Sequence, residues 1–256
     1  MPSYQRLLFP LLLMGAALLP AIGGASEPAR KLVIAADAWC PINCEEKAEH
    51  PGIGIDLARE AFEPLGYTVE YTIMPWSRAL EAVRSGEIDA VVGANYHDDG
   101  SLVFPQEPIY RMTDDIYVRS DDTRSMQLEA LQERQIGYIS GYGYGEPMQR
   151  FLKHTNHVQA VNGVDALEQN LRKLHGNRID ALVESRAIME YTLAGREERG
   201  WIRHVASMPQ GNVYVAFSPA HPEARTHARQ FDEAVARLRA SGTLDTLYAR
   251  YRLSPQ

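Results

Sequence analysis

Gly86-Glu87-Ile88-Asp89-Ala90-Val91-Val92 and Gly176-Asn177-Arg178-Ile179-Asp180-Ala181-Leu182-Val183 carry one physical phrase twice. In each, a glycine stops a helix and an Ile-Asp-Ala step opens a short apolar strand. The preceding helices also share their wording, Ala79-Leu80-Glu81 in the first half and Ala166-Leu167-Glu168 in the second. Before the first phrase, residues 31–36 read as an apolar strand. Ile55, Ala58 and Phe62 mark a helical face ending near Gly66, residues 67–73 alternate at period two, and Trp76, Leu80 and Val83 share a helical face ending at Gly86. Around the second phrase, residues 136–139, 157–161 and 179–183 read as strands, with helices over 146–153 and 164–175. Both halves are therefore βαβαβ units. Such units build parallel sheets with helices on both faces and place ligands at the carboxyl ends of the strands.

The halves are joined by two candidate crossovers, residues 115–119 and residues 212–217, the second preceded by Pro209 and Gly211. Helical residues 224–240 and 244–251 follow. Crossing twice divides the chain into lobe I, residues 26–117 plus 214–256, and lobe II, residues 118–213. The expected fold class is α/β with two lobes, each a mostly parallel sheet flanked by helices, joined by two hinge strands. The cleft between such lobes is the expected ligand site.

The N-terminus carries Arg6, an apolar run over residues 7–22 interrupted by Pro10 and Pro20, and the small residues Gly23-Gly24-Ala25. That is the pattern of a cleaved export signal, residues 1–25. The run falls short of the roughly 20 residues that span a bilayer, so export to the periplasm without stable membrane insertion is expected. In an oxidising compartment Cys40 and Cys44, spaced C-x3-C, are expected to pair as a loop staple contributing only about 2 kcal/mol. A zinc site would need further ligands, and only His50 is close in sequence. No metal or cofactor is expected. With 26 Lys and Arg against 33 Asp and Glu the net charge is −7, and without a basic cluster nucleic acid is not an expected partner.

Gly54-Ile55-Asp56-Leu57-Ala58-Arg59-Glu60-Ala61-Phe62, Pro75-Trp76-Ser77-Arg78-Ala79-Leu80, Gly86-Glu87-Ile88-Asp89-Ala90, Phe104-Pro105-Gln106-Glu107-Pro108 and the closing stretch from Gly242 to Tyr251 resemble the periplasmic solute-binding proteins of the polar amino-acid uptake family, bacterial extracellular solute-binding family 3. The likeness runs in order over nearly the whole chain after the signal. It implies the two-lobed periplasmic-binding-protein fold of type II and a monomer that closes on a small polar solute and delivers it to an inner-membrane ABC permease. The family holds an α-carboxylate with an Arg shortly before the Phe104 phrase and an α-amino group with an Asp five residues after Asp180. Here the first segment reads Tyr96-His97-Asp98-Asp99-Gly100-Ser101-Leu102-Val103, without Arg, and Ser185 stands at the second position beside Glu184. The usual ion-pair clamp is missing.

Other residues at strand ends form the candidate site. Trp39, Tyr96, Tyr142 and Tyr144 can stack on a flat or cationic solute or pack internally. Gly143, in Gly141-Tyr142-Gly143-Tyr144-Gly145 before a helix, can offer backbone N–H groups to an anion or form a plain tight turn. Asn95 and Trp76 flank the cleft, with Trp76 on its helix's core face. Arg78 is either a substitute cation for a carboxylate or a surface ion-pair partner, and Glu184 with Ser185 stands where an ammonium would sit. No nucleophile motif occurs, so a binding protein is expected. The alternatives are a dehydratase-like enzyme on the same fold with Glu184 as general acid, and a ligand-sensing subunit for a membrane partner.

Overall fold

A computed structural model describes residues 30–254. The expected signal peptide, residues 1–25, lies outside the described residues. In the first half, strands β1 (Arg30–Ala36), β2 (Tyr67–Ile73) and β3 (Ala90–Ala94) alternate with helices α1 (Ile53–Phe62) and α2 (Trp76–Ser85). Strand β4 (Tyr110–Arg119) leads into the second half, where α3 (Leu128–Gln132), β5 (Gln135–Ile139), α4 (Glu146–His154), β6 (His157–Val161), α5 (Ala166–His175), β7 (Ala181–Ser185) and α6 (Arg186–Thr192) follow. The chain returns along β8 (Ile202–Phe217) and ends with α7 (Ala224–Ala240) and α8 (Thr243–Arg250). All eight strands join in the order β2-β1-β3-β8-β4-β7-β5-β6. The fold is the two-lobed type II periplasmic-binding-protein arrangement.

Period-two burial explains the layers. In the first half Leu32, Ile34, Ala36 and Val92 pack beneath α1, α7 and α8, while Ala35, Val91 and Ala216 point the other way onto Leu80 and Val83 of α2. The second half repeats this, with Ile116, Ile136 and Val183 under Met148 and Phe151 of α4, and Tyr117 and Leu182 under α5 and α6. Gly86 ends α2 at φ 81°, a conformation that favours glycine.

The repeated Ile-Asp-Ala phrase has one physical role in both halves. Asp89 Oδ2 accepts from Val33 N at 2.7 Å, and Asp180 Oδ2 accepts from Gln135 N at 3.0 Å. Each carboxylate ties the entry of a strand to the neighbouring first strand of its half. The strands themselves begin later than the sequence suggests, at Ala90 and Ala181, because these aspartates are spent on cross-strand fastening.

Two expectations need correction. Residues 212–217 are only the end of a strand that starts at Ile202, and residues 115–119 belong to a strand that starts at Tyr110. Pro209 and Gly211 read as strand breakers, yet here they flank a bulge, where proline is tolerated. Met112 pairs with Gly211 and Thr113 with Pro209, leaving Gln210 without a partner on β4. The helix α6 was not anticipated at all. No helix among the described residues is long and apolar enough to cross a membrane.

Candidate functional site

The site lies where the carboxyl ends of β1 and β3 face the turn after β5, beside the paired hinge strands. Its first wall begins with Asp37, immediately after β1. The chain then folds into a tight turn in which Trp39 N donates to Asn43 O at 2.7 Å and Asn43 Nδ2 donates to Asp37 O at 2.5 Å. Cys40 and Cys44 are joined by a disulfide across this turn. The staple and the hydrogen bonds together hold the Trp39 indole, 6% exposed, in the cleft. Trp76, the first residue of α2, and the segment Asn95 to Asp98 after β3 complete that wall.

Four direct contacts close the two walls on each other. Asn95 Nδ2 donates to Gly143 O at 2.7 Å, and Gly143 N donates to Asp98 Oδ1 at 2.6 Å. Trp39 Nε1 donates to Glu184 Oε1 at 3.0 Å, and the Tyr142 hydroxyl donates to Asp37 Oδ2. Between them remains a cavity of about 20 Å³ lined by Asp37, Trp39, Trp76, Asn95, Asp98, Tyr142, Gly143 and Gln210 together with Val92 and Gly93. That is room for a group of one or two water molecules' size. The lobes stand closed.

The electrostatics are one-sided. Burial pushes Asp37 and Asp98 up to about 6, and Asp114 and Glu184 up to about 7, against hydrogen bonds that favour their charged forms. The neighbouring carboxylates add to each shift except that of Asp37, whose causes are burial and its own hydrogen bonds. Among the described residues, no Lys, Arg or His lines the cavity. Glu184 is 3% exposed and its Oε2 has no hydrogen-bond partner. Gln210, the bulged residue of β8, is 9% exposed, lines the cavity and leaves its Oε1 without a partner.

The structure brings together Trp39, Trp76, Asn95, Tyr142, Gly143 and Glu184 of the residues expected from sequence. Ser185 is buried next to Glu184, with its hydroxyl against Met112. Tyr144 points into lobe II, where its hydroxyl accepts from Ile139 N at 2.9 Å among Met148 and Phe151. Tyr96 is 58% exposed and stacks on Phe104 with centroids 4.2 Å apart, outside the cavity lining. Arg78 is exposed near the start of α2 and is not in that lining. Two of the backbone N–H groups in the turn expected to greet an anion are engaged, Gly143 N by Asp98 and Gly145 N by Asp114 Oδ2 at 2.8 Å. Asp37, Asp98, Asp114 and Gln210 were not foreseen. Asp37 was within reach, since it directly follows a strand, whereas the place of Gln210 depends on a bulge set by the partner strand.

Residues 32–254 match the family model described as bacterial extracellular solute-binding proteins, family 3. Comparison with curated protein sequences returned no match. Among solved structures, the substrate-binding protein of an amino-acid ABC transporter is 18% identical with a TM-score of 0.71, covering 86% of this chain and 98% of that one. A histidine kinase sensor domain with similarity to periplasmic binding proteins is 21% identical with a TM-score of 0.72, covering 88% and 98%. An ancestral amino-acid-binding protein, a precursor of cyclohexadienyl dehydratase, is 19% identical with a TM-score of 0.69, covering 86% and 94%. At these identities the likeness shows the fold, and the family match spans nearly every described residue. The chain belongs to family 3 of the bacterial extracellular solute-binding proteins.

Proposed function

We propose that the chain acts after export, in the periplasm, as a monomeric binding protein that traps a small polar solute between its lobes for an inner-membrane ABC permease. The observation that carries this reading is the interlobe cleft, closed by four hydrogen bonds across two hinge strands in a chain of this family. Lobe I is assigned residues 26–117 plus 214–256 and lobe II residues 118–213. Bending is assigned to the bulge where Gln210 interrupts the pairing of β4 with β8. A register break is a natural place for two paired strands to flex. Mass spectrometry of solute released from the gently unfolded exported protein tests the reading, with re-addition to stripped protein followed by small-angle scattering. A solute in stoichiometric amount that lowers the radius of gyration is expected. No bound solute, or none that alters the radius, overturns the reading.

A second reading is favoured by Glu184, a buried carboxyl held near 7 and therefore partly protonated at neutral pH, as a general acid requires. A dehydratase of prephenate-like acids would use such a group. Those substrates are anions, and the cavity has no cationic side chain to receive them, so binding without turnover is the preferred reading. Incubation with prephenate or arogenate is expected to give no product. Conversion lost in Glu184→Gln would establish the enzyme instead.

A further inference from the structure

We propose that the cleft selects a small organic cation that carries no carboxylate, a primary amine or guanidinium compound whose charged end seats between Asp37, Asp98 and the indoles of Trp39 and Trp76. The inference rests on the binding-protein reading and adds the chemical class of the solute.

Charge balance comes first. The site buries Asp37, Asp114 and Glu184 and half-buries Asp98, while none of the described residues that line the cavity is cationic. Buried charges are kept only when paired, hydrogen-bonded or neutralised by protons, and here protons do part of that work, since all four carboxyls are held near neutrality. A cation entering the cleft replaces those protons as counter-charge. Trp39, Trp76 and Tyr142 offer aromatic faces and edges around the same space, and aromatic faces attract cations when water is excluded.

An α-carboxylate finds no cationic side chain among the described residues that line the cavity. In the closed cleft two backbone donors of the turn after β5, at Gly143 and Gly145, serve Asp98 and Asp114. An amino-acid carboxylate that took either donor would displace one of these carboxylates and leave it beside its own, an arrangement disfavoured by like-charge repulsion.

Independently of the acidic cluster, Gln210 shows that the cavity awaits a donor. Its side chain is turned into the cavity at a bulge, it is nine-tenths buried, and its Oε1 accepts no hydrogen bond. Bulges commonly serve to re-aim a side chain at a site, and a buried unsatisfied acceptor is a cost that needs a reason. Glu184 Oε2, also buried and without a partner, is a second acceptor next to the Trp39 indole. Among the described residues that line the cavity, the buried side-chain atom without a partner is an acceptor, Gln210 Oε1, which matches a ligand end that donates, as ammonium and guanidinium do. The cavity of about 20 Å³ matches the size of an ammonium group.

Isothermal titration of the exported protein at pH 8 with three pairs provides the test: agmatine against arginine, cadaverine against lysine, and putrescine against ornithine. Each pair differs by one carboxylate. At least one amine is expected to bind, with its amino-acid partner weaker by about 100-fold or more. Gln210→Ala is expected to weaken that amine by about tenfold while leaving the unfolding midpoint little changed, because Oε1 has no partner in the protein to lose. An amino acid that binds as tightly as its amine, or failure of all three amines, overturns the proposal. Either failure, combined with recovery of a zwitterionic or anionic solute from the protein, leaves the binding-protein reading standing. Failure together with absence of any recovered solute removes both.

Discussion

Gly143 brings backbone of one lobe directly against Asn95 and Asp98 of the other, and its lack of a side chain permits this. A Cβ there would stand 2.5 Å from Asp98 N and 2.7 Å from both Asp98 Cγ and Asn95 Oδ1. Backbone cannot yield as a flexible side-chain tip can, so Gly143→Ala is expected to hold the cleft ajar. Overpacking of this kind costs about 1–3 kcal/mol. The loss is expected in solute affinity measured by titration, with little change in unfolding midpoint, because the lobes can separate to relieve the clash. The carboxyls give a second expectation. Folding raises Asp37, Asp98, Asp114 and Glu184 above their ordinary values, so the folded protein holds their protons where the unfolded chain has released them. Their contribution is therefore most favourable below about pH 4 and is lost as pH rises through 6 and 7. Between pH 5 and pH 8 the unfolding midpoint of solute-free protein is expected to fall, and Glu184→Gln is expected to flatten that slope. An equal slope in the variant would contradict the assignment. Trp39, Tyr142, Gly143 and Glu184 were legible in the sequence because they stand at strand ends, where this class of sheet places ligands. Asp98 was not legible as a site residue, since its partners, Trp76 Nε1 at 3.0 Å and Gly143 N, come from distant segments.

The turn after β1 and the fastening aspartates show what an element contributes. Cys40 and Cys44 close a short ring, so replacing both with Ser is expected to cost only about 2 kcal/mol or less. The hydrogen bonds from Trp39 N and Asn43 Nδ2 retain much of the turn. The larger effect is expected on Trp39, whose indole would gain freedom beside Glu184. Denaturant titration gives the stability change, and thiol labelling of unfolded, unreduced wild-type protein is expected to find no free cysteine. Asp89 and Asp180 make a paired prediction. Each accepts a backbone N–H from the first strand of its half, so Asp89→Ala and Asp180→Ala are each expected to destabilise by about 1–3 kcal/mol. A neutral result at both would show that the internal repeat is an accident of wording. These elements were readable because glycine stops, apolar runs and the Ile-Asp-Ala phrase are local signals. The length of β8 was not, since Pro209 and Gly211 look like breakers until the bulge against Met112 and Thr113 is seen.

The molecule as a whole is two similar halves sharing one sheet, joined by the paired strands β4 and β8. Their pairing runs from Tyr110↔Val213 to Arg119↔Ile202, with register shifts at Met112/Thr113 and Ile116/Tyr117. That the chain crosses twice was legible, because two strand-like stretches, one polar-flanked and one apolar, stood outside the repeated units. The self-closed cleft was not, because direct contacts between Asp37 and Tyr142, or Asn95 and Gly143, need both halves in place. Closure on a solute follows if the cross-lobe hydrogen bonds exchange for bonds to the ligand, with the hinge setting the path. Electron spin labels on Glu81→Cys and Lys153→Cys, exposed positions on α2 and α4, report the distance across the cleft in the stripped protein and after saturation with the solute recovered from it. The account predicts a broad distribution that collapses to a narrower and shorter one on binding, whereas identical distributions with and without bound solute would contradict it.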